Sequence, residues 1–151
     1  MIAELTVLRF QNVYGPGQSL TNPYTGVVSL FGRVALDGEA IDVYEDGGII
    51  RDFVYIDDVV SALIAALPGG GSEHALDIGS GSPASLLEVA TTVANLAGAP
   101  APVVSGKFRP GDVRAAFADI SAARAAFGYH PRVPLEEGLR RLLEWIREDA
   151  E

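Results

Sequence analysis

The chain has 151 residues, 48% of them hydrophobic and 21% charged, a composition that excludes a disordered segment and fits one globular unit with a real core. Its net charge is −9, and a single lysine, Lys107, accompanies ten scattered arginines, which excludes broad nucleic-acid binding but leaves room for a local arginine site on one or two phosphates. There is no cysteine for a disulfide framework or a thiolate metal site, no apolar run near the roughly 20 residues that cross a bilayer, and no signal-peptide pattern in "MIAELTVLRF", so a cytoplasmic location without membrane contact is expected.

In chain order, "ELTVLRFQNV" is rich in β-branched and aromatic residues and reads as a strand buried on both faces. "TGVVSLFGRVALDG" reads as a helix that stops at Gly38, "AIDVYEDG" as a short strand and turn, and "IIRDFVYI" as a further extended piece. Val59, Val60, Leu63, Ile64 and Leu67 then recur at helical spacing behind Asp57 and Asp58, either of which is placed to cap the first amides. "HALDIG" is strand-like, and "SLLEVATTVANLAG" is a helix with a capping box from Ser85 to Glu88 and a glycine stop at Gly98. Beyond "PVVSG" and the polar loop "KFRPGDVRAAFAD", the spacing predicts helices at "ISAARAAFG" and "LEEGLRRLLEWIRED". The second of these carries Leu135, Leu139, Leu142, Leu143 and Ile146 on one face. Alternating strands and helices imply an α/β unit over 1–151, with parallel pairing in at least part of the sheet.

Several chemistries find little support. Gly79, Gly81 and Ala84 satisfy G-x-G-x-x-A, but Pro83 removes an amide and the next strand-like piece offers no acid for a ribose, so a tight turn is the better reading. His74 and His130 are far apart without clustered carboxylates, which argues against a metal site. No serine sits in G-x-S-x-G. None of Tyr14, Tyr24, Tyr44, Tyr55 and Tyr129 has a lysine four residues on. Asp57 and Asp58 as an acid/base pair are weaker than the same residues as caps.

"VLRFQNVYGPGQ", "YEDGGIIRDFVYIDDVVSA", "LDIGSG" and "RPGDVRAAFAD", in that order, resemble the C-terminal half of the extended short-chain dehydrogenase/reductases, the NAD-dependent nucleotide-sugar epimerases and dehydratases. The resemblance runs from about Leu5 to Trp145. It implies the C-terminal portion of a Rossmann-type fold, a small mixed sheet with flanking helices, from which the NAD-binding half is absent. In the complete family enzyme NAD(P) takes a hydride from a sugar carbon while a tyrosinate removes the proton. The glycine loop and Tyr-x-x-x-Lys pair of the other half supply that chemistry, so no catalytic residue and no bound cofactor are expected on this chain alone.

What remains is the substrate grip. By resemblance Asn12 meets the substrate near its sugar and phosphates, the alternative being an asparagine that steadies the turn before Tyr14. Tyr44 falls where an aromatic lies beside the base, the alternative being a core or cross-strand tyrosine. Arg51 reaches the pyrophosphate, the alternative being an ion pair with Asp52 or Asp46. Arg109 and Asp112 match a second arginine for the diphosphate and an acid for the ribose hydroxyls. Arg114 is a possible substitute for Arg109. The expected partners are a nucleotide sugar and the NAD-binding half. Without that half, the edge of "LTVLRFQNV" should favour self-association or segment exchange, and the family's usual dimer should not form. A subunit of a split enzyme and a non-catalytic interaction domain are the alternatives.

Overall fold

The computed structural model describes residues 5–20, 26–68 and 75–149. His74 and Tyr24 lie outside them. In chain order the elements are β1 (Leu8–Phe10), β2 (Asn12–Tyr14), α1 (Val27–Leu36), β3 (Asp42–Val43), β4 (Ile50–Arg51), β5 (Phe53–Tyr55), α2 (Ile56–Ala66), β6 (Leu76–Ile78), β7 (Ala84–Ser85), α3 (Leu86–Ala97), β8 (Val103–Val104), β9 (Ala115–Ala116), α4 (Ser121–Phe127) and α5 (Leu135–Asp149). Four ladders are parallel: β1 with β6, β2 with β5, β3 with β8 and β4 with β9. The fifth, β4 with β7, is antiparallel, so the three-stranded sheet β7-β4-β9 is mixed while the other three sheets are two-stranded and parallel.

Two cores result. The larger joins α1, α3 and α5 to β2 and β5 through Val28, Phe31, Val89, Val93, Leu139 and Leu143. The leucine face of α5 is buried as its spacing predicts: Leu139, Leu142, Leu143 and Ile146 are all enclosed. Gly32 allows α1 to approach α5, since a Cβ there would stand 2.9 Å from the Ile146 Cδ1. α3 opens with the reciprocal capping box of Ser85 and Glu88, and Gly98 ends it in the left-handed conformation. The smaller core packs Val54, Val59, Ala62, Ile78 and Ala123 around Tyr129, whose hydroxyl donates to the Gly79 carbonyl at 2.8 Å.

Three sequence expectations are corrected. "ELTVLRFQNV" is not one doubly buried strand. The Gln11 amide still bonds Ile78 on the β6 side, while that of Asn12 bonds Asp52 on the β5 side, so the chain changes partner there. Leu5, Val7 and Phe10 are exposed, and the only ladder of β1 is with β6 among the described residues. Secondly, neither Asp57 nor Asp58 caps α2. Tyr55 holds the N-cap position without a side-chain bond. The buried Asp58 carboxylate instead accepts the Arg132 and Val133 amides at 2.8 and 3.1 Å and so pins the approach to α5. Thirdly, the apolar face expected of α2 is largely exposed: Val59 and Ala62 are buried, but Val60, Leu63, Ile64 and Leu67 face outward. The stripe is wider than the core beneath it.

Candidate functional site

β3 alternates in the manner of any strand: Val43 goes into the core while its neighbours Asp42 and Tyr44 line the opposite side. A turn follows, with the Gly47 amide on the Tyr44 carbonyl at 3.1 Å and the Gly48 amide on the Asp46 Oδ1 at 2.9 Å. The turn delivers the chain into β4, which carries Arg51. β4 is in turn flanked by β7 and β9.

These elements surround a cavity of about 500 Å³. Asn12, Tyr44, Arg51, Arg109 and Asp112 all line it. Arg51 and Arg109, distant in sequence, therefore share one cleft rather than opposite sides of the molecule. The turn at Pro110 and Gly111 brings Arg109 and Asp112 together, with the Asp112 amide on the Arg109 carbonyl at 3.2 Å and Gly111 at φ +92°. Arg114 does not line the cavity. It lays a two-pronged grip on Asp46 at 2.6 and 2.7 Å and also reaches Glu45 at 3.2 Å. That ranks Arg109 above its possible substitute.

The ion-pair alternative for Arg51 finds no carboxylate to use. The Asp46 carboxylate is engaged by Arg114 and the Gly48 amide, and this bonding holds it well below the usual carboxylate range. Asp52 points the other way and accepts from Ser80 and Gly81. The Arg51 Nη1 donates only to the carbonyl of Ile50 at 2.8 Å. Neither Arg51 nor Arg109 is in an ion pair among the described residues. Two guanidinium groups with most of their donors unspent therefore converge on one cleft, where an oxyanion would satisfy both.

Sequence reading missed the apolar wall. Val27, Leu30, Phe31 and Val34 of α1 line the cavity at helical spacing. The signal was available: α1 also buries Val28 and Ala35, so it has more apolar positions than one core-facing stripe needs.

The G-x-G segment is filled from within. Ser80 donates its amide and hydroxyl to the Asp52 Oδ1 at 2.7 and 2.5 Å, and the Gly81 amide donates to Oδ2 at 3.1 Å. A Cβ on Gly79 would lie 2.3 Å from that Oδ2. Gly79 makes room for a carboxylate of the protein itself, so the amides that a dinucleotide's phosphates would need are taken, and this turn does not fit that cofactor. Among the described residues there is no cluster of three metal-ligating side chains, and no helix is long and apolar enough to cross a membrane.

Parallel strands joined through helices, with an open cleft beside them, define a Rossmann-type α/β unit. The chain belongs to the NAD dependent epimerase/dehydratase family, whose model matches residues 3–79. It is 49% identical over 148 residues to the dTDP-L-rhamnose 4-epimerase of Burkholderia thailandensis, covering 97% of this chain and 41% of that protein. The structure of the UDP-glucose 4-epimerase of Thermotoga maritima with UDP-glucose superposes with a TM-score of 0.89 at 37% identity, covering 97% of this chain and 47% of that one. The Thermus thermophilus UDP-glucose 4-epimerase complex with NAD gives 0.81 at 33% identity, covering 93% and 45%. The chain thus spans less than half the length of these relatives.

Proposed function

We propose that this cleft binds the nucleoside diphosphate of a nucleotide sugar and serves as the substrate grip of an NAD-dependent epimerase or dehydratase. Arg51 and Arg109 take the two phosphates, Asp112 accepts from the ribose hydroxyls, Tyr44 lies against the base and Asn12 meets the sugar side. The apolar wall of α1 excludes water from the remainder. Binding energy spent on this remote part of the substrate would hold the sugar in reacting geometry, while the reaction itself belongs to groups elsewhere in the enzyme.

The observation that carries the reading is the pair of guanidinium groups, both without a carboxylate partner among the described residues, in a single cavity. A relative crystallised with UDP-glucose supports it. Calorimetric titration with UDP, TDP, GDP and their sugars tests it. Arg51→Ala is expected to weaken diphosphate binding by more than about 1.5 kcal/mol, the scale of a lost charge-assisted contact. Unchanged affinity would remove Arg51 from the site.

The exposed edge of β1 favours a second reading, in which a separate chain carrying the NAD-binding half completes the enzyme. Leu5, Val7 and Phe10 on that edge, with Leu63 and Ile64 of α2, are the apolar exposures such a partner would cover. Activity restored on mixing the two chains supports it. Taken alone, the same edge should pair between copies, so a concentration-independent monomer by light scattering would argue against an adhesive edge.

A further inference from the structure

Arg109 and Asp112 sit on a bridge whose two ends are fixed to the same short segment. At the near end, the Lys107 carbonyl accepts the Glu45 amide at 2.6 Å while its Nζ meets the Asp42 Oδ2 at 2.6 Å. At the far end, the Arg114 carbonyl accepts the Ile50 amide at 2.9 Å, and its guanidinium grips Asp46 and Glu45. The residues between, 108–113, are all exposed and form no helix or strand. Both posts stand on 42–50, the stretch that leads directly into Arg51.

Glu45 ties the posts together. It is the one described non-glycine residue with positive φ, at +53°, a conformation that costs energy in a residue with a side chain and persists where its surroundings over-determine it. In that conformation its amide faces the Lys107 carbonyl and its carboxylate faces Arg114. An isolated surface ion pair would carry little weight, but a two-pronged Arg–carboxylate grip within a network is the arrangement that holds position. The pairing also lowers the Asp46 carboxyl's pKa and raises that of Arg114, so both stay charged around neutral pH.

We infer that Arg114, through its grip on Asp46 and Glu45, is a positioning residue that sets the span between Arg109 and Arg51 and thereby makes the cleft selective for a diphosphate over a monophosphate. A diphosphate needs both guanidinium groups at a fixed separation. A monophosphate can use either one, so it is indifferent to that separation. The inference rests on the proposed phosphate grip and adds a residue that touches no ligand.

The test is the affinity for UDP and for UMP in the chain and in Arg114→Met, with Asp46→Asn as the isosteric variant should the first fold poorly. The expected result is a loss of roughly tenfold for UDP, the scale of one charge-assisted contact, with UMP changed by less than about twofold. In an Arg109→Ala background, Arg114→Met should cost UDP nothing further, because what it positions is gone. Equal weakening of UDP and UMP, additive losses with Arg109→Ala, or no loss at all would each overturn the inference. If the unsubstituted chain bound neither nucleotide, the phosphate grip itself would fall, and this role of Arg114 with it.

Discussion

Two turns in this molecule use the same polar vocabulary to opposite ends. The "DIGSGSP" turn presents amides in the pattern of a phosphate cradle, but Asp52 accepts from two of them and from the Ser80 hydroxyl. The "RPGD" turn has no such look, yet its arginine and the arginine of β4 share a cavity and have no carboxylate partner among the described residues. A motif that satisfies itself is architecture. Hydrogen-bonding capacity left unspent at the wall of a cavity is where a ligand can contribute. The difference lies in where the carboxylates went: Asp52 turns toward the glycines and Asp46 toward Arg114, so neither neutralises Arg51.

The sharpest way to break the comparison is at Asp52. Asp52→Ala removes the buried carboxylate that accepts the Ser80 amide and hydroxyl and the Gly81 amide, all part-buried bonds, and should destabilise the fold by about 3 kcal/mol, read as the shift of the urea midpoint. Gly79→Ala should also be costly, because its Cβ would meet the carboxylate at 2.3 Å. If Asp52→Ala left stability untouched while weakening nucleotide binding, the turn would be a site after all. Asp58→Ala extends the argument to the smaller core, where loss of the acceptor for the Arg132 and Val133 amides should cost about 2 kcal/mol.

The other turn should answer in the opposite currency. Arg109→Ala is expected to reduce UDP affinity by about tenfold with a melting temperature within about a degree of the parent, since an unpaired exposed side chain holds little of the fold. A stability loss as large as that of Asp52→Ala would mean that Arg109 is structural. The two measurements together separate a saturated turn from an unsaturated one.

The division between what could and could not be read from the sequence follows the range of the interactions involved. The helices were legible where local signals set them: the capping box at Ser85, the glycine stops at Gly38 and Gly98, and the leucine face of α5 all appear in the structure. The five binding candidates could be named by resemblance, but their common cavity became visible only once β3, β4 and the loop at 105–114 were in place. Asp58 misled because a carboxylate at the start of a helix looks like a cap, whereas its partners are amides 74 and 75 residues away. α2 misled because spacing shows which residues share a face and not whether anything covers it. The ion-pair alternative for Arg51 falls because its candidate partners, Asp46 and Asp52, are taken by other donors, which no local pattern encodes.

The smallest effect tests the local end of that scale. Ser85→Ala removes the acceptor of the Glu88 amide at 3.2 Å and should cost about 1 kcal/mol, the usual value of a lost N-cap. Glu88 completes the box by accepting the Ser85 amide at 2.7 Å, a bond that lowers its pKa from the ordinary 4.5. A carboxyl whose pKa falls on folding contributes stability above its ordinary value and loses it as pH falls through the lowered one. Glu88→Gln keeps a side-chain acceptor but no longer titrates, so it should match the parent closely at neutral pH and lose less stability than the parent on acidification below about pH 4. Identical acid profiles for the two chains would show that the box holds through its geometry rather than through its charge.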